Sequence, residues 1–191
     1  MRPGFTSTTA PSTQFFGIVV DRDRRATLLG LGLAVLRIIF GLILLTNGLS
    51  KAFGLMHLHP LPGFLIDYNG AKGIIQSNVQ HHPIEPYKRL VLDVMVPHWS
   101  LFGPLVTLGE LSVGLALVLG LLTPLAALAG FAMIFQIYFS RWGIGDGEFL
   151  WDYWNEFIPY LVLALTSAGR FYGLDRALAE RIPALRRWPL T

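Results

Sequence analysis

Residues 107–122, TLGELSVGLALVLGLL, form an apolar run broken by a single carboxylate, Glu110. A helix of this composition belongs in lipid, where a charge at mid-depth costs about 3 kcal/mol or more unless it has a partner. Whatever the chain folds into must supply that partner. The composition agrees with a lipid environment: 53% of the residues are hydrophobic and only 14% are charged. That balance is well outside the range of soluble domains.

No cysteine occurs, which excludes disulfides, iron–sulfur ligation and thiol chemistry by this chain itself. The net charge of +3 is carried mostly by arginines toward the two ends. In so apolar a chain this signals membrane orientation and not nucleic-acid binding.

Hydropathy predicts four spans, about 26–50, 100–122, 124–142 and 151–168, since a bilayer core takes about 20 apolar residues per helix. The first apolar run is too long for a signal-peptide core and no small-residue cleavage site follows it, so it reads as a retained span. The expected fold is all-α: an integral membrane four-helix bundle with a long extracytoplasmic loop that contains short interfacial helices. Residues 1–25 read as a flexible tail, 26–170 as the membrane domain and 171–191 as a basic tail. Thr123 and Pro124 are expected to open the third span, with Thr123 as its N-cap.

Arg22, Arg24 and Arg25 at one end, and Arg170, Arg176, Arg181, Arg186 and Arg187 at the other, put both termini in the cytoplasm. The location implied is a membrane facing the cytoplasm, with lipids as partners.

Depth along each span follows from a rise of about 1.5 Å per residue. By that count, with the span ends aligned, Arg37, Glu110 and Gln136 reach one plane, and the expectation is an Arg37–Glu110 ion pair with Gln136 beside it. The small-residue stripes support it. Arg37 shares a helix face with Gly41, Gly48 and Lys51, and Glu110 shares one with Gly103, Thr107 and Gly114. Small residues permit close helix approach. The plainer reading is a buried pair that sets helix packing.

A second polar group is expected nearer the outside, from Asn47 and Lys51 on the first span and Asp152, Trp154, Asn155 and Glu156 on the fourth. It reads either as a pocket able to hold a quinone head group or as an ordinary interface belt with snorkelling side chains.

The segments LRIIFGLILLTNGLSKAFG (36–54), LGELSVGLALVLGLLTPLAALAG (108–130) and SAGRFYGLDRAL (167–178) resemble the DoxX family, including the DoxD-like small membrane subunits associated with thiosulfate:quinone oxidoreductase. Arg37, Gly41, Gly48, Lys51, Glu110, Gly114, Gly120, Gly169 and Asp175 are the positions that carry over. The resemblance implies a small membrane subunit accessory to a quinone-linked redox complex of a bacterial or archaeal cytoplasmic (inner) membrane, with other membrane subunits as partners. The alternative is a non-catalytic structural subunit of a larger energy-converting assembly. A monomeric transporter is disfavoured by the absence of a visible repeat or broken helix.

All five histidines fall in the long loop, so no heme or metal ligation by the usual ligands is expected within the spans, and any electron carrier must be a bound quinone or a partner's cofactor. His57, His59, His81 and His82 are weak metal candidates, because their spacing matches no zinc signature.

Overall fold

The structure, a computed structural model, describes residues 14–15, 18–19, 22–54, 66–144 and 154–191. Two-residue strands, Gln14–Phe15 and Ile18–Val19, pair antiparallel. All other regular structure among the described residues is helical. The long elements are α1 (Arg22–Phe53), α4 (Trp99–Leu119), α5 (Thr123–Phe139) and α6 (Trp154–Leu165). Between α1 and α4 lie α2 (Tyr68–Val79) and α3 (Glu85–Arg89), the latter continuing into a π-helical turn, Leu90–Met95. After α6 come a 3₁₀ turn, Ala168–Arg170, then α7 (Leu174–Arg181) and a second 3₁₀ turn, Pro183–Arg186.

α1 takes Arg22, Arg24 and Arg25 into its first turns, so the helix starts before the expected residue 26. It runs antiparallel along α4, and glycines set the distance. A methyl group built on Gly114 would sit 2.8 Å from the Leu45 Cα, and one on Gly48 would sit 2.9 Å from the Leu111 backbone nitrogen. Gly41 meets the Val118 nitrogen in the same way, at 2.8 Å. These approaches exist because the side chains are absent.

α4 packs next on α5, α5 on α6, and α6 returns to α1. Leu44, Leu117, Ala127, Leu163 and Ala164 fill the centre. Tyr160 is buried there too, and its hydroxyl donates to the Phe40 carbonyl at 3.2 Å. The outward rows stay apolar, with Leu101, Leu105, Leu108, Leu115 and Leu119 exposed along α4. Such a face is stable where the surrounding solvent is hydrocarbon.

The α4–α5 connection is tight. Gly120 ends α4 at φ 67°, where its N–H still reaches the carbonyls of Ala116 and Leu117. A left-handed residue in this position is the usual way for a helix to satisfy its last carbonyls. Leu122 is also left-handed, at φ 47°, and Thr123 opens α5. Thr123 is thus not the N-cap expected from sequence. Its own N–H is instead accepted by the Asp175 carboxylate at 2.9 Å, from a segment 52 residues later.

The long connection is folded onto the helices. Asp67 caps α2 through the Gly70 N–H. Tyr68 and Trp99 exchange hydrogen bonds: the Tyr68 hydroxyl donates to the Trp99 carbonyl at 2.8 Å, and Trp99 Nε1 donates to the Tyr68 carbonyl at 3.2 Å. Val79, Val91 and Val96 make a small core beneath α2 and the π-helical turn. At the opposite end, Gly30 of α1 lies against the Phe171 ring, so the start of α1 meets the segment after α6, and α4 reaches it only at Leu119.

Substituting Gly114 by Ala should destabilise the protein by about 1–3 kcal/mol, the usual cost of overpacking a close contact. Thermal unfolding in detergent, with Ser112→Ala on the exposed side of the same helix as control, measures it. An unchanged melting temperature would contradict the close α1–α4 approach.

Candidate functional site

Lys51 ends α1 and Glu110 sits mid-way along α4, and the two meet. Lys51 Nζ lies 2.9 Å from Glu110 Oε1 and 2.8 Å from Oε2, with side-chain exposures of 6% and 3%. The glycine contacts decide this pairing. With Gly41 on Val118 and Gly48 on Leu111, one further turn of α1 carries Lys51 to the level of Glu110. A lysine and a carboxylate buried together offset much of each other's desolvation, whereas either alone would not be tolerated in its charged form.

Following the same register the other way takes Arg37 to the end of α4, beside Gly120. The expected Arg37–Glu110 pair is therefore wrong. Counting depth from aligned span ends placed the helices about three turns out of register, because α1 runs on past the α4–α5 turn. Arg37 is fully buried, its Nη2 donating to the Tyr172 carbonyl at 3.2 Å. Its Nη1 lies against Gly120 and Gly173. Asp175 is the carboxylate acting on it, and Asp175 is also fully buried. Arg37 Nε and Nη1, Thr123 Oγ1 and Asp175 Oδ1 have no protein partner.

Around the Lys51–Glu110 pair lies a cavity of about 130 Å³. Its walls are mostly apolar, from Phe40, Ile43, Ile134 and Ile137 of the long helices and Ile74, Ile75 and Trp99 at the α2 end. Asn47, Gln136, Glu156 and Tyr160 also line it. Gln136 donates from Nε2 to the Tyr87 hydroxyl at 3.1 Å, tying α5 to α3. Burial pushes the Tyr87 phenol above its ordinary value of 10.0, against the lowering effect of the Gln136 bond. Gln136 and Glu110 thus share this cavity, while Arg37 does not line it.

Of the outer group read from the sequence, Asn47, Lys51 and Glu156 line the cavity. Trp154 and Asn155 are exposed and do not. Asp152, His57 and His59 lie outside the described residues. His81 is exposed, whereas His82 is buried, its Nδ1 accepting the Ile84 N–H at 3.1 Å and its ring packed 4.5 Å from Tyr87 and 4.9 Å from Phe139. Among the described residues no group of three His, Asp or Glu converges as a metal site. Asp175 did not stand out as a site residue beyond its family position, since Gly-Leu-Asp before an amphipathic stretch reads as a local helix start. Gly173 takes the cap position of α7, and Asp175 turns inward to α5.

The DoxX family model matches residues 32–142. The chain belongs to the DoxX family. It is accordingly a membrane protein, with two helices, Arg24–Phe53 and Trp99–Leu119, long and apolar enough to cross a bilayer. No curated protein and no solved structure matches it. The matched region contains both partners of the Lys51–Glu110 pair and Arg37, but not Asp175.

In this DoxX protein the buried pair has a defined chemical capacity. An ammonium carries three N–H donors, and Glu110 takes up two directions, so one remains for an acceptor in the cavity. Lys51→Met should cost about 3–5 kcal/mol by leaving Glu110 buried without its cation, and the double variant Lys51→Met/Glu110→Leu should recover most of it. Chemical unfolding in detergent compares them; equal losses in single and double variants would mean that the pair is not coupled. At the other end, Asp175→Asn should destabilise by about 3 kcal/mol through loss of the charge facing Arg37. Asp175→Ala should cost about 1 kcal/mol more, because it also removes the acceptor for the Thr123 N–H. Matching melting temperatures for the two Asp175 variants would remove the capping role.

Proposed function

We propose that this DoxX protein is a small multi-pass subunit accessory to a quinone-linked redox complex of a bacterial or archaeal inner membrane, and that the cavity at Lys51 and Glu110 receives the quinone head group. The observation that carries the reading is a buried Lys–Glu pair lining an apolar cavity of about 130 Å³. A dry apolar cavity of about 150 Å³ accommodates benzene, so a single six-membered ring is the right scale. The quinone supplies the redox chemistry; the chain supplies position and polarity. Lys51 offers its remaining N–H to a carbonyl oxygen, Glu110 holds the ammonium in place, and Gln136 and Asn47 add polar atoms at the wall.

In this reading α1, α4, α5 and α6 together cross the membrane as a four-helix bundle. The contact of Gly30 with Phe171 supports an even number of crossings, since it brings the start of α1 beside the segment following α6. Arginines cluster at this end, from Arg24 to Arg186, which supports a cytoplasmic orientation for it. The cavity then faces the outer half of the membrane, roofed by α2, with α2 and α3 lying at the interface.

Quenching of tryptophan fluorescence by a short-chain quinone, titrated into the purified protein, tests the proposal, since Trp99 lines the cavity. Saturable quenching that weakens at least about tenfold, roughly 1.4 kcal/mol, in Glu110→Gln and in Ile74→Trp is expected. Affinity unchanged in both variants would remove the ligand role and leave the chain a non-catalytic structural subunit.

A further inference from the structure

A second cleft lies at the arginine-rich end, far along α1 from Lys51. It has a volume of about 620 Å³ and opens between the first turns of α1 and the segment that follows α6. Arg170 and Arg176 line it, with Ala26, Leu119, Phe171 and Leu174 as its apolar surface. We infer that this cleft is a site for one anionic phospholipid, its phosphate held by Arg170 and Arg176 and its acyl chains lying along α1.

The charge favours an anion. Arg170 uses Nη2 on the Arg186 carbonyl and on an oxygen of Thr191, which fixes the side chain and leaves its Nε and Nη1. Arg176 is exposed and paired only at Nε, with Glu180 at 3.3 Å. Behind the cleft, the fully buried Arg37 lies with its unpartnered Nη1 against Gly173, a lining residue. Among the described side chains beside the cleft, the guanidiniums of Arg37, Arg170 and Arg176 stand against two carboxylates, Asp175, buried and turned to the Thr123 N–H, and Glu180. Guanidinium groups bind phosphate through paired donors.

The source of the phosphate follows from the flanks. Leu28, Leu29 and Leu31 are exposed on α1 next to the lining residues Thr27 and Gly30, and α4 reaches this half of α1 only with its last residue, Leu119. An apolar helix face next to clustered arginines matches the boundary between acyl chains and anionic head groups. A free phosphate would use the arginines and leave the apolar walls wet.

Native mass spectrometry of the full chain, titrated with phosphatidylglycerol or phosphatidylcholine, reads the site directly. One phosphatidylglycerol should be retained at least about tenfold more tightly than phosphatidylcholine, and should raise the melting temperature by about 5 °C at saturation. Arg170→Gln/Arg176→Gln should abolish the preference. Because Arg170 also holds the last residues, Ala26→Trp serves as a second variant: it fills the cleft from an exposed position and keeps both arginines. It should lose the bound lipid with an unchanged lipid-free melting temperature. Equal retention of the two lipids, retention undiminished in Ala26→Trp, or equal protection by glycerol phosphate alone would each overturn the proposal.

Discussion

Gly41 and Gly48 on α1, and Gly114 on α4, bring two helix backbones so close that sliding either helix by one turn would drive side chains into main chain. Ridges and grooves between larger residues tolerate several offsets, but a contact this close accepts one. Both buried charges of α1 inherit that choice. It puts Lys51 beside Glu110 at one end and leaves Arg37 beside Gly120 at the other. The charges do not determine the register here; they occupy the places it makes. That order matters energetically, because a buried ion pair roughly breaks even on formation while a misplaced charge is severely penalised.

The faces of these helices were legible in the sequence, and their register was not. Glu110 and Gly114 share a stripe, as do Arg37, Gly41, Gly48 and Lys51, and both stripes do face inward. Helical periodicity supplies that information because it is local. Register is a relation between two helices, and hydropathy marks only where apolar runs begin and end. Here those limits mislead, since the first half of α1 is as apolar as any span but has the 3₁₀ turn Ala168–Arg170 and Phe171 as its main neighbours in place of α4. The covering segment reads as a basic tail because α7 is short and polar outside. What gives it away is a single inward residue, Asp175, invisible to a composition argument.

The same logic separates the histidines from the site. A pair of adjacent histidines suggests ligation only while both are free to turn outward. His82 has one ring nitrogen committed to the Ile84 backbone and its faces committed to Tyr87 and Phe139, so it serves as a wedge between the loop and α5. Tyr87 connects this wedge to the cavity through Gln136. The loop is thereby coupled to the site by packing and hydrogen bonds, although none of its described histidines lines the cavity.

The two ends of the molecule solve one electrostatic problem in different ways. At the Lys51 end both charges are satisfied by each other, bidentately, and the surplus is an ammonium N–H directed by a rigid partner. At the Arg37 end the arginine and Asp175 are both buried, yet each hydrogen-bonds to backbone, Arg37 to the Tyr172 carbonyl and Asp175 to the Thr123 N–H. The first arrangement is closed and holds a geometry. The second holds together three separate pieces of chain, α1, the α4–α5 turn and the segment before α7, through a charge relation that no single bond discharges. Removing the first should cost mainly the cavity's polarity, whereas removing the second should loosen the end of the fold where the arginines gather.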